Sequence, residues 1–104
     1  MTDTILETDL QIEIVKIKKA AHVFRAINNQ LRQQMLRLLH QNGRMTVTAI
    51  YVKLQLEQSV ASQHLAILRN AGLVSTNRDG KFVFYSVNYQ RLAELHSKAA
   101  SLIS

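Results

Sequence analysis

The sequence contains no cysteine, no proline and no tryptophan, and only three glycines, in 104 residues. Without cysteine, this chain can form no disulfide, thiolate metal site or thiol redox sensor of its own. No apolar stretch reaches eighteen residues, so no transmembrane segment is expected, and the acidic N-terminus MTDTILETDL is unlike a secretory signal. We therefore expect one cytoplasmic domain over residues 1–104, a length that supports a single hydrophobic core.

Acidic residues are few and unevenly placed. The chain has 13 Lys and Arg against 7 Asp and Glu, a net charge of +6. Residues 1–14 carry four acids and no base, a net of −4, which leaves +10 on residues 15–104. A basic body attracts polyanions such as nucleic acid or an anionic membrane, although many small proteins are basic for solubility alone.

Two apolar seams with steps of three and four predict the first and last helices. Residues 10–27 and 89–103 are expected to form helices that pack lengthwise on another helix, preceded by an acidic leader over residues 1–9. The seams consist of Leu10, Ile14, Ile17 and Ala21, and of Leu92, Leu95, Ala99 and Leu102.

Capping residues delimit three further helices between the seams. Asn29 is a candidate N-cap for a second helix to about Gln41, which Gly43 ends, and Thr46 is one for a third helix over 47–54. A fourth helix over 58–71 is closed by Gly72, which can adopt the left-handed conformation of a helix C-terminus. Because the turn between the third and fourth helices is short, residues 47–71 are a helix-turn-helix candidate.

Residues 73–87 change to the β-rich pattern of a two-stranded hairpin. LVSTNR and KFVFYSV flank Asp79 and Gly80, a dipeptide typical of a type I′ turn with positive φ at both positions. Arg78 and Lys81 at the tip could reach phosphates or a minor groove, or could simply solubilise the turn.

The fourth helix has an unusual polar face. At 100° per residue, one arc holds polar residues with no acid and one base, whereas a merely solvated face would be expected to carry Glu and Lys. Short polar side chains suit the major groove, where Gln and Asn can pair with adenine. The arc contains Gln58, Ser59, Ser62, Gln63, Ala66, Arg69 and Asn70, opposite Val60, Ala61, Leu65, Ile67 and Leu68.

Metal and catalytic sites are not indicated. His64 falls on the apolar arc, which favours a hydrogen-bonded histidine on the core side over a base reader. No two histidines have the close spacing of zinc ligands, and no phosphate loop or catalytic carboxylate pair is recognisable. We expect no cofactor, no metal and no enzymatic activity. Arg32, Arg37, Arg44, Lys53 and Arg69 are further candidates for phosphate contacts.

From Phe24 to Val87 the chain resembles the ArsR/SmtB family of bacterial winged-helix repressors. The similar segments are FRAINNQLRQQMLRLL, EQSVASQHLAILRNAGLV and NRDGKFVFYSV. The resemblance implies a mainly α winged helix-turn-helix fold with a β-hairpin wing, and a homodimer paired through the first and last helices. It also implies DNA contacts by Gln58, Ser59, Ser62 and Gln63, the face that the helical wheel selects.

The chain departs from the family at its sensing positions. Thr46 and Thr48 stand where many members have a metal-binding Cys-x-Cys, and the region 88–104 offers only Asn88, Glu94 and His96 as possible ligands. Gln55 and Glu57 stand where the family often has Gly and Ser, so the recognition helix lacks its preferred cap.

These observations predict a metal-independent, homodimeric repressor that binds double-stranded DNA at a near-palindromic operator, with an unknown inducer and no membrane partner. The alternative is a winged-helix protein-interaction module that uses the first helix and the acidic leader, since fold alone does not determine function.

Overall fold

A computed structural model describes the backbone of residues 7–103 and the side chains of residues 8–97. Within this range the elements follow the predicted order, with one additional short strand before the third helix. The bounds are α1 Glu7–Ile27, α2 Gln30–Asn42, β1 Met45–Thr46, α3 Val47–Leu54, α4 Gln58–Asn70, β2 Val74–Asp79, β3 Phe82–Val87 and α5 Tyr89–Ile103. Helix α1 thus begins three residues before the predicted start, and residues 1–6 of the predicted leader lie outside the described residues.

The predicted caps of α2 and α3 are confirmed. The Asn29 side chain accepts a hydrogen bond from the backbone N–H of Arg32 at 3.0 Å, and Thr46 accepts one from Ala49 at 3.2 Å. Gly43 ends α2 with φ +86, and its N–H donates to the Leu39 carbonyl at 2.8 Å. Each cap satisfies a backbone group that the helix itself leaves without a partner.

The turn between α3 and α4 is tight because Gln55 adopts the left-handed conformation, with φ +56. This conformation lets the Leu56 N–H donate to the Tyr51 carbonyl at 2.9 Å, which closes the end of α3. Gly72, with φ +78, follows α4 as predicted.

The core lies between α2, α3, α4 and the base of the hairpin, and one side of α1 and of α5 packs onto it. Apolar residues of α2 and α3 contribute to it, although Leu31, Val47 and Leu54 are only partly buried. The largest fully buried side chains are Met35, Leu39, Ile50, Leu65, Leu68 and Leu73.

The predicted hairpin is confirmed as β2 and β3, and β1 adds a third strand, which gives an antiparallel sheet in the order β1-β3-β2. The additional strand pairs Met45 with Tyr85 and Thr46 with Phe84. The turn of the hairpin lies one residue further along the chain than predicted. Asp79 pairs with Phe82, so Gly80 and Lys81 form the loop. Gly80 has φ +63 and Lys81 a negative φ, the pattern of a type II′ rather than a type I′ turn.

Candidate nucleic-acid interface

The polar face of α4 is fully presented to solvent. Its opposite side packs into the core through Ala61, Leu65 and Leu68. This packing fixes the rotation of the helix, so that the polar residues project outward together. The exposed residues are Gln58, Ser59, Ser62, Gln63, Ala66, Arg69 and Asn70.

One member of the predicted apolar arc is not buried. Ile67 is 37% exposed because it lies at the edge of the arc. On the helical wheel it is turned by more than 90° from both Leu65 and Leu68. Val60 on the same flank is half-buried. The side of α4 that enters the core is therefore narrower than the wheel predicted.

His64 is held by a hydrogen bond from another helix, as predicted for a histidine on the core side. It is half-buried, and Nη1 of Arg32 lies 3.0 Å from its Nδ1. Because a guanidinium can only donate, Nδ1 accepts and the neutral imidazole carries its proton on Nε2. Desolvation by burial, and secondly the Arg32 charge, lower the pKa of His64 from its ordinary value of 6.5.

Arg32 itself acts within the fold rather than as a free surface cation. Its Nε donates to the Ala26 carbonyl and its Nη2 to the Arg25 carbonyl at 3.3 Å, both at the end of α1. Its guanidinium is thus engaged by α1 and α4 together, which argues against the phosphate contact considered from sequence. The sequence contained no signal for this bridge, since Arg32 and His64 are 32 residues apart.

The N-terminus of α4 lacks a side-chain cap, as the departure from the family pattern predicted. Glu57 occupies the N-cap position without a side-chain hydrogen bond to the helix in the described structure. Its carbonyl accepts from the Ala61 N–H at 3.1 Å, so only the backbone closes the first turn. The carboxylate is exposed and lies near the positive end of the helix dipole.

The wing presents two exposed cations, and a third cation, Arg44, contacts the hairpin. Arg78 and Lys81 are both exposed, and Lys81 occupies the loop itself. Arg44 bonds to Asp79 at 3.3 Å and lies 4.0 Å over the Phe84 ring, so it links the segment before β1 to the hairpin. Sequence reasoning placed Arg44 only among phosphate candidates and missed this role.

Three of the five residues at the family's metal positions make other contacts. Thr46 caps α3, Asn88 accepts from the Arg91 N–H at 3.2 Å, and Glu94 accepts from the Arg91 guanidinium at 3.1 Å. Over the part of the chain that the structure describes, no group of three or more His, Asp or Glu side chains could hold a metal ion.

The predicted pairing seams are only partly exposed. On α1, Leu10 and Ile17 are exposed, the latter by 68%, and Ile14 and Ala21 are half-buried. On α5, Leu92 is half-buried, and Leu95 is only 6% exposed because it belongs to the chain's own core. The side chains of Ala99 and Leu102 lie outside the described residues. No helix within residues 7–103 is long and apolar enough to cross a bilayer.

Comparison with known proteins identifies the family of this fold. The family model for "Bacterial regulatory protein, arsR family" matches residues 29–76. An uncharacterized HTH-type transcriptional regulator of Methanocaldococcus jannaschii is 38% identical over 80 residues, 77% of this chain and 90% of that protein. The biofilm growth-associated repressor of Agrobacterium fabrum is 36% identical over 110 residues, 99% of this chain and 87% of the repressor.

A solved structure shares the fold. The homodimeric winged helix-turn-helix DNA-binding domain of a possible ArsR-family regulator from Mycobacterium bovis superimposes with a TM-score of 0.73 at 28% identity. The match covers 88% of this chain and 83% of that one. The element order, the exposed face of α4 and these relatives lead to one conclusion: the chain is a winged helix-turn-helix protein that belongs to the arsR family of bacterial regulatory proteins.

Proposed function

We propose that this protein is a cytoplasmic, homodimeric transcription regulator that represses by binding a near-palindromic DNA operator. The observation that carries the proposal is the exposed face of α4, where polar side chains without an acid project from a helix anchored in the core. Such a face suits the major groove, because its donors and acceptors can reach base edges and no carboxylate on it repels phosphate.

Base reading is assigned to Gln58, Ser59, Ser62 and Gln63, and Arg69 at the far end of the face is assigned to a phosphate or base contact. Two-fold symmetry then places the two recognition helices in successive major grooves, roughly 34 Å apart. The wing cations Arg78 and Lys81 contact the backbone beside each half-site. Contacts of this kind position the protein without selecting a sequence.

The dimer is assigned to the apolar seams of α1 and α5. Support comes from the exposed Leu10 and Ile17 on α1, since apolar side chains repeated along one helix face indicate a partner helix. Ile14, Ala21 and Leu92 extend this surface, as do Ala99 and Leu102 by sequence position. Leu95 packs in the core beneath the seam and does not itself offer surface to a partner.

Regulation is proposed to be independent of metal. Thr46 and Thr48 offer no thiolate, and the contacts of Thr46, Asn88 and Glu94 give each of these oxygens a role in capping or ion pairing. The proposal does not depend on catalysis either, and no enzymatic role is assigned.

The test begins with selection of genomic fragments bound by the protein, followed by a Ser62→Ala, Gln63→Ala double variant. Both side chains are exposed, so the variant should keep its fold and lose about 1–3 kcal/mol of discrimination for each base contact removed. Fluorescence anisotropy with the selected operator and with random duplex measures the discrimination.

A Gln41→Ala variant is the matched control, because it removes an exposed glutamine from α2 and should leave discrimination unchanged. Unchanged discrimination in the double variant would refute the base-reading assignment. Complete absence of binding to any duplex at low salt would favour the protein-interaction module instead. A reporter gene behind the operator distinguishes repression from activation.

A further inference from the structure

A cleft of about 410 Å³ lies between α1, the end of α4 and the start of α5. Its apolar floor includes Val23 and Ala71, both buried in the core. Its rim carries Lys18 and Lys19 from α1 and Arg91 from α5. The volume falls within the range of about 300–1,000 Å³ that small-molecule sites occupy.

The charge around the cleft is of one sign. Three permanent cations line it, and no carboxylate occurs among the described lining residues. Glu94 engages Arg91 through a single Nη1 bond of 3.1 Å, and within the described residues the side chain of Arg91 makes no second hydrogen bond. Like charges gathered around an apolar floor raise the local concentration of an anion.

Stabilisation of the neighbouring helices accounts for only one of these cations, Arg91, which forms an i,i+3 ion pair with Glu94 within α5. Arg91 lies in the first turn of α5, where the helix dipole disfavours a positive charge. At the other helix, three carbonyls of the last turn of α4 accept from backbone N–H groups of Ala71, Gly72 and Leu73, at 2.9–3.1 Å. The end of α4 is therefore closed by its own backbone and does not require the lysines.

The cleft is separate from the seam assigned to the partner subunit, and it lies at the opposite end of α4 from the base-reading residues Gln58 and Ser59. Around α1, Lys18, Lys19 and His22 are centred roughly 120° from the Leu10 to Ala21 seam. Along α4, the cleft adjoins Asn70, which is about 16 Å from Ser59 at 1.5 Å per residue.

We propose that this cleft binds a small organic anion, in which a carboxylate or phosphate group is joined to an apolar body. The lysines and Arg91 hold the anionic group, and the apolar body covers Val23 and Ala71. Such a ligand contacts three helices at once, and one of them is α4. Occupancy therefore changes DNA affinity, and this consequence, unlike the binding itself, rests on the proposed function.

The experiment uses 1-naphthoate and phenyl phosphate as probes, with neutral 1-naphthalenemethanol as the uncharged counterpart. Calorimetry without DNA measures affinity, and amide NMR shifts locate the site. We expect at least one anion to bind with shifts at His22, Asn70 and Gly72. Lys19→Gln and Arg91→Gln should weaken that binding about fivefold or more, the effect of losing one partly exposed charge pair.

An Arg25→Gln variant removes the same charge from an exposed residue of α1 that does not line the cleft and should bind the anion like the unaltered protein. Lys19 is exposed, so its variant remains informative if the Arg91 variant does not fold. Absence of anion binding up to millimolar concentration, equal binding of the neutral probe, or equal weakening by Arg25→Gln would overturn the proposal. Anion binding without any effect on DNA affinity would refute only the regulatory consequence.

Discussion

Arg32 joins three helices through one guanidinium group. From α2 it donates to the Ala26 and Arg25 carbonyls at the end of α1 and to the His64 imidazole on α4. The planar fork makes these bonds in different directions at the same time, which the single ammonium of lysine cannot reproduce. The rotation of the recognition helix thus depends on a polar contact as well as on the core.

Burial of His64, and secondly the Arg32 charge beside it, makes stability dependent on pH. The folded-state pKa of His64 lies below its ordinary value of 6.5, so below that pH the unfolded chain binds a proton that the folded chain does not. The free energy of unfolding should therefore be unaffected by this group above about pH 7, and should fall as the pH drops below 6.5 toward the folded pKa. Urea unfolding at fixed protein concentration across this range measures the change.

His64→Gln removes the titrating group, and its stability should decline less steeply below pH 6.5 than that of the unaltered protein. Gln63→Ala changes the neighbouring exposed residue of α4, carries no titrating group and should retain the original steepness. Parallel pH profiles of stability for the unaltered protein and His64→Gln would show that His64 does not contribute to the pH dependence.

At the scale of elements, the hairpin turn determines which cation lies at the tip of the wing. Because Asp79 pairs with Phe82, Lys81 is a loop residue and Arg78 lies within β2, opposite Val83. The bond from Arg44 to Asp79 holds the strand next to this loop. Lys81 therefore extends from a loop whose neighbouring strand is bonded to Arg44, and this position suits a phosphate contact.

Lys81→Ala should weaken binding to the operator and to random duplex by the same factor. It should also reduce the slope of log affinity against log salt by about one for each wing, since a phosphate contact releases condensed counterions but reads no base. Anisotropy titrations at several salt concentrations measure both quantities. Lys16→Ala on α1, where Lys16 pairs with Glu13 at 3.5 Å, is the control and should leave the slope unchanged. A loss confined to the operator would instead make Lys81 a base-reading residue.

At the scale of the whole molecule, α1 extends an elongated protein of 59 × 28 × 22 Å and exposes apolar residues on more than one side. Ile17 belongs to the predicted seam and is 68% exposed, and Ile12 lies on nearly the opposite side and is 52% exposed. Substitution of each residue in turn therefore distinguishes a dimer that pairs through the seam from nonspecific association of an apolar helix.

Ile17→Glu should dissociate the dimer, raising its dissociation constant by about a hundredfold or more, because two-fold symmetry buries the new charge twice. The folding of each protomer should survive, since the residue is exposed. Sedimentation equilibrium measures the change, and Ile12→Glu is the matched control that should leave the dimer intact. Dissociation by Ile12→Glu alone would relocate the interface to the other side of α1.

Much of the fold was predictable because it depends on local chemistry. Asn29 and Thr46 satisfy backbone groups three residues away, and Gly43 and Gly72 adopt positive φ at helix ends, so each boundary is determined by neighbours in the chain. The polar face of α4 was equally predictable, because a period of 3.6 residues separates it from the core. Strand β1 was not, since two residues carry no periodic signal and Met45 gains its partner from Tyr85, forty residues away.

By itself, the amino-acid sequence determined the order of the helices and hairpin, the residues that α4 exposes, the absence of thiol chemistry in this chain and the resemblance that led to the family. Only the tertiary structure decided that Arg32 serves the fold, that Leu95 belongs to the core, that Lys81 lies in the turn and that cations from α1 and α5 surround one cleft. These features depend on contacts between residues distant in the chain, and no local pattern of propensity or period encodes which distant side chains meet.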